Sequence, residues 1–351
     1  MHLKEVYRNN AAAVDTLLRE KMTALQIPGI TVSLLYGGDT VYQTAMGIRD
    51  REAHPMDSGT LFESASLTKT LFGTLVLRLA QEGRLDIDRP IMDTLQDTPW
   101  SDDPRFVRIT PRQCLCHACG LPNWEAKPMH MLFDPGQQYS YSGEGYFLTQ
   151  RLVEQITEKD LNELLMEYFL RPLHMDIASA TWTPEIGRRF SLGFGVDGKV
   201  VKIRDKRRTT GNAPEPCAAW SLYGNSFEMI RFLQYMIRDH GGLEERWFTE
   251  LRRPQIAAGT GISWGLGWGL CSADPTVLWH WGDNDGFKSI SLLDWDSGDG
   301  ISIYTNSDNG FAFWAQVCAE LTDAVFMDEH ETPVYPCLTL IVKKGGFKIL
   351  L

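Results

Sequence analysis

Strand-like runs occur near both ends of this 351-residue chain, and that distribution limits the folds open to it more than any other feature. Early in the chain, Ile30 to Tyr36 and Thr40 to Gly47 flank Gly37-Gly38-Asp39, which supplies the positive backbone angles of a tight hairpin. Late in the chain, Val277 to Trp281, Phe287 to Trp295 and Gly300 to Thr305 predict consecutive antiparallel strands. Between these ends lies a loop-rich stretch with helical spacing at Gly145 to Ile156, at Asp160 to Leu170, and from Ser226 through Met229, Ile230, Leu233, Met236 and Ile237. Val14, Leu17, Leu18, Met22 and Leu25 predict a first helix; Phe313, Trp314, Val317, Leu321 and Val325 predict a last one. The economical arrangement is an α+β fold in which the two ends join into one antiparallel sheet flanked by N- and C-terminal helices. This assigns about 1–85 and 226–331 to a sheet lobe and about 86–225 to an inserted, mainly helical lobe. The tail 332–351 alternates poorly and receives no role.

With 43% hydrophobic and 23% charged residues, the chain can bury a large core. Its net charge of -11 argues against nucleic acid as a partner, because phosphate binding needs a clustered positive surface. The local exception, Lys202 to Arg208, is read as a solvated loop or hairpin. No apolar run is long enough to span a bilayer, and Met1-His2-Leu3-Lys4-Glu5 lacks a signal-peptide core, so a cytoplasmic location is expected. Seven cysteines without framework spacing fit reduced thiols. Nothing in the sequence bears on oligomeric state.

The apolar run Leu71, Leu75, Val76 and Leu79 predicts a buried helix headed by Ser66-Leu67-Thr68-Lys69. Ser64 or Ser66 is a natural cap for its start and Gly83 a natural stop. Ser66 would then lie where unpaired helix N–H groups can stabilise an oxyanion. Lys69, three residues on, projects from the same helical face, within reach of the serine oxygen. A serine needs such a neighbour to act as a nucleophile. Alone, the tetrad reads more readily as a helix cap followed by a solvated lysine.

Further segments change that balance. Pro135-Gly136-Gln137-Gln138-Tyr139-Ser140-Tyr141-Ser142-Gly143-Glu144-Gly145-Tyr146 and His280-Trp281-Gly282 follow Ser66 and Lys69 in order. Supporting stretches include Phe62 to Ser66, Ile109-Thr110-Pro111-Arg112, Gly120-Leu121-Pro122 and Trp264 to Gly269. Together these resemble the serine β-lactamase and penicillin-binding-protein superfamily, in particular its class C β-lactamase-like and family VIII carboxylesterase-like branch. The resemblance implies a β-lactamase-like fold, with Ser66 as nucleophile and Lys69 and Tyr141 activating it. Tyr141 would accept the serine proton as a phenolate favoured by the Lys69 charge, and Lys69 would share the base role. The oxyanion hole would be the N–H groups of Ser66 and Asp283. Gly282 would let substrate lie close to the strand edge, with Trp281 beside it. His280, where many relatives carry lysine, would help hold Tyr141 and a substrate carboxylate or carbonyl. No cofactor and no metal are implied.

Gly143 stands where the family usually has an asparagine that bonds the substrate amide, and Glu144 after it is read as a solvated carboxylate. Gly143 with His280 shifts the expected activity toward hydrolysis of small carboxylic esters. The alternatives are a D-amino-acid peptidase, a class C-like β-lactamase, an acyltransferase, or a non-hydrolytic penicillin-binding or sensor protein. Cys114-Leu115-Cys116-His117-Ala118-Cys119 could be a redox pair or a zinc site, but lacks the context of either, and is read as small packing residues. Trp124, Trp264, Trp268 and Trp281 are expected around the cleft.

Overall fold

The computed structural model describes residues 1–95, 100–203, 209–210, 213–259, 261–272 and 274–323. The tail 332–351, Val325 of the last predicted helix and most of the basic run after Ile203 lie outside the described residues.

Among the described residues, eight strands form one antiparallel sheet. They are β1 (Gly29–Tyr36), β2 (Asp39–Gly47), β3 (Ile256–Gly259), β4 (Ile262–Trp264), β5 (Gly269–Cys271), β6 (Asp274–Asn284), β7 (Phe287–Asp294) and β8 (Gly300–Thr305). Their order is β2-β1-β8-β7-β6-β5-β4-β3, so the early hairpin pairs directly with the last strand. Every residue of β7 and β8 is buried, because helices cover both faces of the sheet. On β1, Thr31 and Ser33 face the helix α4 (Ser226–Asp239): Ser226 N–H donates to Thr31 Oγ1 at 3.2 Å, and the Ser33 hydroxyl donates to Ser226 Oγ at 3.0 Å. Ile30, Val32 and Leu34 alternate to the opposite face. The helices α1 (Ala11–Leu25) and α5 (Gly310–Leu321) pack together against that side of the sheet. Each fully buried aliphatic side chain contributes about 1.5–3 kcal/mol, and these strands are almost continuous in them.

Helix α2 (Thr68–Gln81) buries nearly its whole surface and ends at Glu82, where Gly83 has φ 72°. Helix α3 (Gly143–Thr157) follows Tyr141, with Ser142 accepting the Gly145 N–H as its cap. The pattern over 160–170 resolves into an α-helical turn, Leu161–Leu165, continued by a π-helical turn, Met166–Leu170. No helix among the described residues is long and apolar enough to cross a membrane.

Two sequence expectations are corrected here. Lys202 is not part of a solvated loop: its amine is buried 3.4 Å from the buried Glu63 carboxylate. Nor do the late strands begin only at Val277, since β3 to β5 extend the sheet through the residues before it.

Candidate active site

Ser66 sits in a one-turn 3₁₀ helix, Ala65–Leu67, immediately before α2. Neither Ser64 nor Ser66 caps the helix with its side chain, contrary to the sequence expectation. Ser64 anchors the turn instead: its N–H donates to Leu222 O at 2.8 Å, and its hydroxyl accepts from Tyr304 at 3.1 Å. Ser64 O accepts from the Ser289 hydroxyl at 3.3 Å. Three distant segments therefore hold one turn, and they hold it in strain, since Ala65 has φ 49°. A left-handed alanine costs on the order of 1 kcal/mol and persists only where the surroundings over-determine it.

Lys69 Nζ lies 3.1 Å from Ser66 Oγ, as the three-residue spacing predicts, and donates to Ala219 O at 2.7 Å. The amine stands 4.8 Å from the ring centre of Tyr141 and 5.2 Å from that of Tyr146. Lys69 is 1% exposed and makes no ion pair with a carboxylate among the described residues, and burial pushes its pKa down to about 7. A neutral amine can therefore accept the Ser66 proton while keeping an N–H for Ala219 O.

Tyr141 differs from expectation. Burial raises its pKa, and only the neighbouring Ser66 hydroxyl works in the opposite direction, so at neutral pH it is a phenol and a proton donor. Lys69, 4.8 Å from its ring centre, does not bring it down to a phenolate. The ring is held between His117, stacked at 4.1 Å, and Trp281, stacked at 6.0 Å.

His280 is fully buried, and its pKa falls to about 3 through burial and the nearby Lys69 charge. Its Nδ1 lies 2.8 Å from the Trp281 carbonyl, which can only accept, so Nδ1 carries the proton and Nε2 is a bare acceptor. The expected role in holding a substrate carboxylate is thereby corrected, because the ring carries no charge, and it makes no hydrogen bond to Tyr141. His117 has the opposite tautomer. Its Nδ1 accepts the Ser142 N–H at 3.0 Å, leaving the proton on Nε2, and burial keeps the ring neutral.

Strand β6 outruns β5: Leu278 and Trp279 have partners on both sides, whereas 280–284 pair, among the described residues, only with β7. Asn284 and Phe287 close a two-residue hairpin and exchange hydrogen bonds, so Asp283, one step back, turns its N–H to the open edge. The Ser66 turn packs against that edge. The Asp283 side chain pairs with the buried Lys288 amine at 3.0 Å, and Lys288 also reaches Asp308 at 2.6 Å. Gly282 does not leave room for substrate as expected. A Cβ there would stand 2.3 Å from Ser64 O and 3.2 Å from Ala65 Cβ, so the space is taken by the turn that carries Ser66.

Gly143 is likewise covered, since a Cβ would lie 2.3 Å from Trp124 Cζ2. Glu144 is fully buried rather than solvated, and accepts the Glu125 N–H at 3.4 Å. Trp264 joins the aromatic cage, 5.1 Å from His117 and 5.4 Å from His280. Trp268 does not; it stacks on Phe232 in the core. Cys114, Cys116 and Cys119 are buried as expected. His117, Tyr146 and the Ala219 carbonyl are site groups the sequence reading missed; only the His117 position, inside the cysteine-rich motif, offered a signal.

The beta-lactamase family model matches residues 14–316, most of the chain. The chain belongs to the beta-lactamase family. Among curated relatives, this family member is 21% identical over 321 residues to protein flp of Staphylococcus aureus, covering 85% of the chain and 63% of that protein, so it spans less than two thirds of that relative's length. It is 24% identical over 313 residues to esterase EstB of Burkholderia gladioli, covering 74% of the chain and 79% of EstB. Its fold matches the octameric penicillin-binding protein homologue of Pyrococcus abyssi, with TM-score 0.73 at 20% identity over 88% of this chain and 77% of that one. It also matches the D-alanine carboxypeptidase AmpC of Burkholderia cenocepacia, with TM-score 0.71 at 16% identity over 89% of this chain and 100% of that one.

Proposed function

We propose that this beta-lactamase family member is a serine hydrolase that forms an acyl-enzyme on Ser66 and hydrolyses small, uncharged carboxylic esters. The observation that supports this most directly is the buried Lys69 amine, hydrogen-bonded to Ser66 and pushed down to about 7 by burial. Ser66 Oγ attacks the ester carbonyl carbon while its proton passes to Lys69. The Ser66 and Asp283 N–H groups stabilise the oxyanion. As the intermediate collapses, Tyr141 donates its proton to the departing alkoxide and regains one from the Lys69 ammonium. Water then enters along the reverse route and frees the carboxylic acid.

Two features favour an uncharged ester. The neutral His280 supplies no cation for a substrate carboxylate, and residue 143 has no side chain to bond an amide. Similarity to esterase EstB points the same way. The test is intact-protein mass spectrometry during turnover of a p-nitrophenyl ester and, separately, of a β-lactam. The expected result is a transient acyl adduct on Ser66 with rapid ester turnover, abolished in Ser66→Ala without loss of folding. Full activity in Ser66→Ala would overturn the mechanism, and a stable β-lactam adduct without ester turnover would overturn the substrate class.

A further inference from the structure

The segment before Tyr141 in space, residues 122–125, is strapped to the first turn of α3. Pro122 O accepts the Ser142 hydroxyl at 2.8 Å, and Asn123 O accepts the N–H groups of Gly143 and Glu144, each at 3.1 Å. Asn123 Oδ1 takes the Gly143 N–H as well, at 2.9 Å, and the Glu125 N–H returns to Glu144. This strap fixes the backbone on both sides of Trp124. The indole is consequently pressed onto Gly143, with Cζ2, Cη2 and Cε2 all 2.3 to 2.7 Å from where a Cβ would be. Trp124 is only partly buried, so part of the ring remains open, and its seat, Gly143, follows Tyr141 by two residues across the helix cap Ser142.

We propose that Trp124 is a specificity-determining residue, forming a fixed apolar wall that receives the acyl chain of the ester. The proposal rests on the ester-hydrolase reading above and names the half of the substrate it selects. A ring immobilised by its backbone suits the group that stays bonded to Ser66 through both half-reactions, because contact with that group is then available in acylation and deacylation alike. A glycine at 143 is what allows the ring to lie there: any side chain at that position would displace it.

The experiment measures kcat/KM for p-nitrophenyl acetate, butyrate and hexanoate in the native protein, Trp124→Ala, Trp124→Phe and Gly143→Ala, with thermal melts of each. The expected native preference for hexanoate over acetate falls at least about tenfold in Trp124→Ala and is largely kept in Trp124→Phe. Gly143→Ala, which leaves the indole in the chain but removes its seat, reproduces the loss. The double variant Trp124→Ala, Gly143→Ala loses no more than Trp124→Ala alone, since both changes act on one contact. An unchanged hexanoate-to-acetate ratio in folded Trp124→Ala and Gly143→Ala overturns the proposal. So does a preference that follows the alcohol half in a matched series of alkyl acetates. Failure of the underlying reading looks different: no ester is turned over by the native protein and a fluorophosphonate does not label Ser66.

Discussion

At the scale of single residues, the arrangement around Ser66 ties activity to the protonation of Lys69. The amine accepts a proton only when neutral, so kcat/KM for an ester should rise with pH through about 7 and fall tenfold per pH unit below it. Lys69→Arg, which cannot deprotonate, should abolish the activity at every pH. The same shift affects folding with a definite sign. Lys69 titrates near 10.5 when unfolded and near 7 when folded, so between these values the unfolded chain binds more protons and stability rises with pH. A melt series from pH 7 to 10 should show that rise, and its loss in Lys69→Met. Tyr141→Phe removes the donor to the leaving oxygen while keeping the ring that Lys69, His117 and Trp281 contact, and should lower kcat by about 10²–10⁴. The Ser66–Lys69 contact was legible in the sequence because one helical turn dictates it. The Lys69 acceptor Ala219 was not, because it arrives from 150 residues away, and neither was the neutrality of His280, which is a property of burial.

Among the elements, the central one is the unpaired end of β6. The late strands and both flanking helices follow from apolar spacing and were legible. The strands β3 to β5 were not, because they are three or four residues long and interrupted by glycine, which is too short for alternation to register. Gly282 illustrates a different limit. Its motif position is visible in the sequence, but what fills the space above it is visible only when β6 meets the Ser66 turn. Gly282→Ala should push that turn off the strand edge, costing about 1–3 kcal/mol in denaturant unfolding, with a larger proportional loss of kcat than of stability. Behind the edge, Lys288 is 7% exposed and bridges Asp283 to Asp308. Lys288→Ala should destabilise the protein by roughly 3 kcal/mol, because it removes the shared partner of two carboxylates. A urea titration with circular dichroism measures it.

For the molecule as a whole, the decisive connection is between its first and last strands. β1 pairs with β8 along six residues, and Tyr304 on β8 donates to Ser64 across 240 positions of sequence. A ribosome adding about 5–20 residues per second needs on the order of ten to fifty seconds to cover that distance. Over most of that interval Ser66 has been made, but Gly282, Ser289 and Tyr304, which pack against or bond its strained turn, have not. Ser66 and Lys69 are then adjacent in sequence but unsupported, and on the proposed mechanism activity should appear only once the last strand has closed the sheet. Termination between Tyr141 and β8 should thus yield a polypeptide that contains Ser66, Lys69 and Tyr141 and shows no esterase activity. Under the proposed function, the order of synthesis delays ester hydrolysis until the sheet has closed.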